Sequence, residues 1–513
     1  MNETGSKVSG WLIAPVVALA AFMEIMDISI ANVSLPHIAG DLSSSQNEST
    51  WVLTSYLVTN AVVMPISGWL SNTFGRKRFF LVCIAGFTIA SLLCGLAPNL
   101  ASLITLRAVQ GAAGGGLQPS GQAILADSFP PEKRGMASAI YGIAAVVAPT
   151  VGPTLGGWIT DNYNWRWIFL INVPVGVALL FLVMALIREK PVDRDRNARV
   201  PVDWMGFGFV ALSLGCLQIV LDRGQEDDWF GSGFITVLLL VSAAAFALLI
   251  WWELRHSAPM VDLRLMRNAD FAVTFVLMLM LGFMLLGSTY LIPAYAQGLM
   301  GYRAVDAGMV LTPGGVASIL FLPLVGRLIN KVDVRLLVAI GLVIGGSSLL
   351  WMTNFYLDIP FQRLVLARIV QAISLAFLFV PLNSMAFRGI PAAKTNNASA
   401  LINLARNFGG SLGISFASTL LTRREQFHQS RLVEYAQQMN ASYPDYARHL
   451  GSALGSTADS PATLANLYQG IINQATLLSY LDDFKILGLI FLALLPLLLL
   501  VKPGQGGSAG MAH

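Results

Sequence analysis

The sequence predicts an all-α polytopic membrane protein of 14 spans, made of two pseudo-symmetric six-helix bundles plus two inserted helices. Three observations predict it. Of 513 residues, 55% are hydrophobic and only 12% charged, where soluble domains carry about 25% charged residues. Apolar runs of about 20 residues, long enough to cross a hydrocarbon core, recur along the whole chain; they are continuous rather than alternating, which means helices and not barrel strands. The third is a repeat. Arg107-Ala-Val-Gln110 returns as Arg368-Ile-Val-Gln371, 261 residues later. At the same offset Pro130 matches Pro391, Lys133 matches Lys394, Ala137-Ser138-Ala139 matches Ala398-Ser399-Ala400, and Gly152 matches Gly413. Gly68-x-Leu70-x-Asn72 returns as Gly326-x-Leu328-x-Asn330, at an offset of 258. One bundle has been duplicated in the same orientation, and paired halves are the basis of alternating access.

Hydropathy, breakers and loop charges place the spans at 11–35, 50–71, 79–97, 100–125, 137–160, 167–187, 203–221, 233–252, 271–293, 304–329, 335–354, 363–387, 398–420 and 482–501. An even count puts both termini on one side, and charge says which. Of the 32 Lys and Arg, 20 fall in the segments assigned to the cytoplasm; only Arg166, Arg223, Arg303 and Arg363 lie in short loops opposite. The repeat pairs spans two to five with spans ten to thirteen. Spans seven and eight are then an inserted pair, with basic flanks at Arg188 to Arg199 and at Arg255, Arg264 and Arg267. The expected division is a bundle over 1–188, a linker with two helices over 189–270, a second bundle over 271–501 and a flexible cytoplasmic tail over 502–513.

The first span continues past 20 residues and holds acids, so it reads as a retained span and not a cleaved signal. Its acids, Glu24 and Asp27, are three residues apart and share a helical face. Charge inside a span costs about 2.5–3.5 kcal/mol on insertion scales, so such groups are functional candidates. Lost water and an acidic neighbour penalise the ionised form. That suits a proton carrier, neutral in one access state and ionised in the other; the alternative is an ion pair with a buried Arg that holds helices together. Cys83, Cys94 and Cys216 fall inside spans with neither disulfide nor metal spacing. In the fourth span Arg107 stays charged. It is expected to bias a nearby carboxylate or organise a proton path, with Gln110 one turn on; Arg368, its repeat partner, is placed nearer the membrane edge. The run Gly111 to Gly116 has no strand before it and no Lys after it, so it is no phosphate loop. Small residues there let helices approach closely. The fifth span holds Gly152, Pro153, Gly156 and Gly157 after Pro149. This reads as a close, kinked contact that seals or hinges the face between halves, or as generic packing. The ninth span is rich in Met and Phe, and Met surfaces adapt to varied apolar ligands. Met278, Phe283, Met284 and Tyr290 are therefore cavity candidates, together with Asn32 and Gln110. The segment 421–480 is polar with helical stretches such as Ser430 to Gln438. It reads as a solvated periplasmic loop, a docking surface for another protein, or part of a gate.

These residues resemble the major facilitator superfamily, and within it the 14-span drug/proton antiporters of the EmrB/QacA type. Met26-Asp27 through Asn32 to Pro36 is similar to the subfamily's first-span signature with its membrane aspartate. Gly68 through Asn72 and Gly75 to Arg76, Lys77 and Arg78 is similar to the superfamily loop at the cytoplasmic gate. Leu103 to Gly111 with Arg107 resembles the proton-transfer motif, and Gly142 through Gly152-Pro153 to Gly157 resembles the motif that marks antiporters. Trp165 through Asn172 to Pro174 is also like the subfamily. The resemblance implies a major facilitator fold. It departs at Asn72 and Asn330, where the family usually has an acid, so a softer gate is expected. It also implies, for the Gram-negative branch, a periplasmic adaptor protein and an outer-membrane channel as partners, with 421–480 as the contact.

The expected function is proton-driven export of amphipathic or lipophilic drugs across the bacterial inner membrane. The proton is the coupling ion, and no metal, organic cofactor or nucleic acid is involved. The alternative is a narrow exporter of one metabolite or siderophore by the same antiport, separable by growth inhibition across unrelated toxic compounds. An enzyme would need a constellation of His, Cys or Ser/Lys in the spans. Of five histidines only His37 lies near a span end, beside Pro36.

Overall fold

The structure, a computed structural model, describes residues 9–130, 133–187, 203–256, 259–391, 394–435, 442–453, 455–457 and 460–501. The basic stretch Arg188 to Arg199 and the tail over 502–513 lie outside the described residues.

Twelve described helices are long and apolar enough to cross a membrane. In the first bundle these include α1 (Gly10–Val33), α2 (Trp51–Phe74) and α3 (Arg76–Gly95). Gly75 separates α2 from α3 at φ 90°, a left-handed backbone that any side chain would strain. The fourth predicted span is two helices, α4 (Leu100–Gly114) and α5 (Leu117–Ser128). Asn99 starts α4, its side chain accepting from the Ser102 N–H at 2.9 Å. The break falls in the glycine run, where a Cβ on Gly111 would lie 2.2 Å from the Tyr56 carbonyl and one on Gly116 would lie 2.5 Å from Cys83 Sγ. Only glycines let this segment lie against α2 and α3. The bundle continues with α6 (Arg134–Asn162) and α7 (Asn172–Leu186).

The inserted pair is α8 (Trp204–Arg223) and α9 (Gly233–Arg255). The second bundle comprises α10 (Ala269–Gly298), α11 (Ala304–Leu328), α12 (Val334–Met352), α13 (Phe361–Ala386), α14 (Thr395–Tyr435) and α16 (Pro461–Ala493), with the short α15 (Ser442–Ala453) before the last. The 41 residues of α14 span about 60 Å at 1.5 Å per residue, twice a hydrocarbon core. Its excess length runs beside the start of α16. Arg424 Nε and His428 Nε2 lie 3.0 and 2.8 Å from Asp482, and Thr476 donates to Glu425 at 2.6 Å. Much of the expected loop over 421–480 is therefore a helical hairpin. The described part of the predicted Ser430 to Gln438 helix is the end of α14, which runs to Tyr435.

Within the first six spans α1 lies along α6 and α2 along α4; in the last six α10 lies along α14 and α11 along α13. The two groups meet where α6 packs on α11 and where α2 and α5 pack on α14. The inserted α8 bridges α2 and α14. Thr54 of α2 donates to Asp222, Gln218 donates to Ser411 of α14 at 2.8 Å, and Trp229 donates to Thr419 at 3.2 Å. Its partner α9 is the least buried of the twelve, presenting Phe234, Leu240 and Phe246 outward, as a helix does whose solvent is lipid.

Candidate functional site

A cavity of about 470 Å³ lies between the two groups of helices. Its walls come from α1, α2, α6, α8, α10 and α14, and it follows α2 from Thr50 only as far as Met64. It reaches from Thr50, Thr422 and the exposed Glu226 at one end to Gln118 and Arg406 at its base. Beyond the base the molecule is closed. Arg406 Nη2 donates to Gln118 and to Asn403 (2.9 Å), Asn403 donates to Gln122 (2.8 Å), and Ser399 Oγ donates to the Pro119 carbonyl (2.8 Å). These bonds join α5 to α14.

The predicted gate loop belongs to the same closed end. Asn396 donates to Asn72, and a Cβ on Gly68 would lie 3.0 Å from the Asn397 Cα. Gly135 of α6 and Gly326 of α11 touch in the same way, a Cβ on either coming within 3.0 Å of the other's carbonyl oxygen. Arg76 pairs with Asp127 inside the first bundle, and Lys77 Nζ donates to the Met184 carbonyl at 2.8 Å. Asn72 thus makes a neutral amide contact across the two bundles. Asn72→Asp would convert it to a charge-assisted bond, worth about 1 kcal/mol more. The expected result is a several-fold shift toward closure of this end, read by spin-label distances across it; unchanged distances would refute the softer-gate expectation.

The acids of α1 part company. Asp27 faces into the first bundle and does not line the cavity. Arg107 Nη1 donates to Asp27 Oδ2 at 2.5 Å, both side chains fully buried, while Gln110 (3.1 Å) and Asn172 (2.8 Å) donate to Oδ1. Arg107 also donates to Gln110 (2.8 Å) and to the Val52 carbonyl (3.1 Å), and lies over the Tyr56 ring at 4.3 Å. An isolated charge here would be very costly, and the pair with its added donors answers that cost. Glu24 lies toward the base of the cavity. Its Oε1 accepts from Asn60 at 3.0 Å, whereas Oε2 makes no close hydrogen bond among the described residues. Asn60, Gln118 and Arg406, which also line the base, are its polar surroundings.

Offset 261 carries Asp27 to Ser288, and the second bundle contains the matching cluster. Arg368 donates to Ser288 Oγ (3.5 Å), Thr289 Oγ1 (3.3 Å) and Gln371 Oε1 (2.8 Å). Arg368 is fully buried in this cluster. The duplication kept the Arg and Gln and has a hydroxyl where the acid stood, so the buried ion pair belongs to the first bundle.

Of the expected cavity residues, Asn32 and Tyr290 line the wall. Gln110 does not; it is held in the Asp27 cluster. Met278, Phe283 and Met284 are buried away from the cavity. On α10 the cavity stripe is Gly282, Leu285, Leu286, Thr289 and Tyr290, at helical spacing. Met284 instead packs at Gly345 of α12, and Phe283 meets Phe416 of α14 at 5.5 Å. The composition of α10 favoured Met and Phe, but its rotation turned a different stripe of the helix inward. The sequence reading missed Asn60, Gln118 and the α8 groups Gln218 and Asp222, and gave no place to Arg406. An Arg in the thirteenth span was visible as a signal; the others are ordinary polar residues.

On α6 the motif glycines divide: Gly152 and Gly156 face α1, whereas Gly142 faces the opposite bundle, where a Cβ would lie 2.8 Å from the Phe379 ring and 3.0 Å from Leu322. A Cβ on Gly152 would lie 2.6 Å from Ser29 Cβ and one on Gly156 3.1 Å from the Ile30 Cα, whereas one on Gly157 meets nothing nearer than 3.8 Å. Pro149 and Pro153 line the cavity, and the interface with α11 also has Thr150 against Gly315 and Thr154 against Gly308. Gly152→Ala is expected to destabilise by about 1–3 kcal/mol through overpacking and to cut transport, with Gly157→Ala close to wild type. Thermal unfolding in detergent and transport assays check both; equal behaviour of the two variants would dismiss the close contact as the cause.

Comparison with known proteins gives three findings. The sequence pattern described as Major Facilitator Superfamily matches residues 17–414. The chain is 36% identical over 496 residues to "Multidrug export protein EmrB" of Haemophilus influenzae and to "Fatty acid resistance protein FarB" of Neisseria gonorrhoeae, covering 96% of each chain. It is 36% identical over 501 residues to "Multidrug export protein EmrB" of Escherichia coli K12, covering 97% of this chain and 96% of that one. The structure of the human organic anion transporter MFSD10 (TETRAN) superposes with a TM-score of 0.60 at 14% identity, covering 95% of this chain and 99% of that one; that likeness bears on the fold alone.

Proposed function

We propose, from the premise that this chain belongs to the Major Facilitator Superfamily, that it exports amphipathic or lipophilic compounds across a bacterial inner membrane in exchange for protons. The observation that carries the reading is on α1. One face of that helix holds Asp27 in a fully buried pair with Arg107, and the other lines the cavity through Ile25, Ile28, Ser29 and Asn32. A proton on Asp27 leaves Arg107 without its counter-ion, so proton binding acts on the helix that touches cargo.

The excess of Lys and Arg near the Asn72 end supports a reading with that end and both termini in the cytoplasm. The cavity described here then faces outward. In this reading the outward-facing protein takes up protons and releases cargo; closure of the Thr50 end and opening of the Asn72 end reverse both. Glu24, between the cavity base and the Asp27 cluster, is the second proton group. At about 2.3 kcal/mol per charge per 100 mV, one or two protons per cycle support accumulation without a metal or an organic cofactor.

The cavity walls are mainly apolar, with Leu53, Leu57, Leu285 and Leu286 facing Gln118 and Arg406 at the base. They suit a lipophilic body with a polar end, and relatives named for multidrug export and fatty acid resistance fit that class. The α14–α16 hairpin is the surface this reading gives to a periplasmic adaptor leading to an outer-membrane channel. The test is proton release from purified protein in proteoliposomes across a panel of unrelated lipophilic compounds. Release with several compounds is expected. Release with a single metabolite would favour the narrow exporter, and none would sink the antiport.

A further inference from the structure

We propose that Asp483 is a second, separate proton carrier in the last membrane helix, reached from the cavity by way of Tyr290; the inference rests on the antiport reading above. Asp483 of α16 is fully buried, and neither carboxyl oxygen has a hydrogen-bond partner among the described residues. Its charged surroundings are already committed. From α14, Arg424 and His428 both bind the adjacent Asp482, and Glu425 accepts from Thr476. From α10, Tyr290 lies within electrostatic reach of it, and the nearby Tyr295, packed on Tyr480, spends its hydroxyl on the Tyr356 carbonyl at 2.8 Å. Tyr480 and Lys485 share its helix, with Tyr480 edge-on to Tyr295 at 5.4 Å, and Phe484 packs on Phe355.

A carboxylate with no hydrogen-bond donor of its own, beside an Arg424 already paired with Asp482, is costly in such a wall, whereas the neutral acid is not. Asp483 is therefore held with its proton in this state. A purely structural acid would be expected to have found partners, as Asp27 and Asp482 have. Tyr290, which lies within electrostatic reach of Asp483, is also part of the cavity wall, and it is the route this inference gives the proton between the acid and the cavity. Release breaks the Oδ–H bond, leaves the electron pair on the carboxylate and passes the proton through the Tyr290 hydroxyl to cavity water. The second bundle, which has Ser288 in place of Asp27, would then hold its titrating acid on a different helix.

The experiment is infrared difference spectroscopy of the full-length protein in liposomes as pH is varied, together with ethidium-driven proton movement in the same vesicles. Asp483→Asn is expected to remove one pH-dependent carbonyl band of protonated carboxylic acids, and to lower by one the protons exchanged per protein. Asp27→Asn should leave that band in place. Tyr290→Phe, which keeps the ring, should slow exchange at the Asp483 band and offers a readout if Asp483→Asn folds poorly. Bands and exchange rates equal to wild type in both the Asp483 and Tyr290 variants overturn the inference. Wild-type vesicles that move no protons with ethidium or any other compound of the panel overturn the antiport reading instead, and the Asp483 band is scored independently of that result.

Discussion

Asp27→Asn is expected to abolish substrate-driven proton release and to destabilise the protein by about 3–5 kcal/mol, the cost of leaving one member of a buried ion pair alone. The Asn side chain keeps an oxygen for Gln110 and Asn172, but the Arg107 guanidinium, fully buried and 2.5 Å from the present carboxylate, loses its only ion-pair partner among the described residues. The double variant Asp27→Asn/Arg107→Gln separates the two losses. Removing both charges should recover much of the stability, because the uncompensated cation is gone, and none of the coupling. Thermal unfolding in detergent and proton release in proteoliposomes measure the two quantities side by side. Retained proton release in the single variant would take Asp27 out of the mechanism. Coupling regained by the double variant would mean that the pair holds helices together and carries no proton.

Tying the closed end shut is expected to have an equally large effect. Gly68 of α2 and Asn397 of α14 approach so closely that a Cβ on the first lies 3.0 Å from the Cα of the second. This suits a disulfide after Gly68→Cys/Asn397→Cys. Changing both positions also removes the one severe clash, that of a Gly68 side chain with the Asn397 amide oxygen at 2.7 Å. Oxidation should hold the cavity open at the Thr50 end and stop export, and a reductant should restore it. Cys83 and Cys94 are buried and Cys216 is half-buried, so the introduced pair dominates the redox response. Full export by the oxidised protein would show that the Asn72 end need not open, which alternating access does not permit.

Much of this protein was legible in its sequence, and the reason is local. Each span must be apolar whatever it touches, so hydropathy marks the helices one by one. Two spans fell short of that criterion as single apolar helices for readable reasons, α4–α5 because glycines divide it and α14 because it is polar and runs beyond the membrane. The polar segment after 421 was read as a loop with helical stretches, and how far the helices extend was not legible, since hydropathy marks where lipid ends and not where a helix ends. The candidate site was legible as a set of residues and not as an arrangement. Glu24 and Asp27 looked like one pair, yet Asp27 turns to α4 and α7 while Glu24 turns to Asn60 and the cavity base. Met278, Phe283 and Met284 looked like cavity lining, and the cavity stripe of α10 proved to run through Gly282, Leu285 and Leu286.

By itself the sequence determined the helical membrane class, the duplicated plan and the identity of the buried charges, because lipid acts on each segment separately and a charge inside a span is conspicuous. Only the tertiary structure decided that Arg107 meets Asp27 across 80 residues, that its copy Arg368 meets a serine, and that the passage is shut at Asn72 and open at Thr50. Those facts depend on how each helix is rotated and on which helices touch. Packing between distant segments sets both, and no short stretch of chain encodes it.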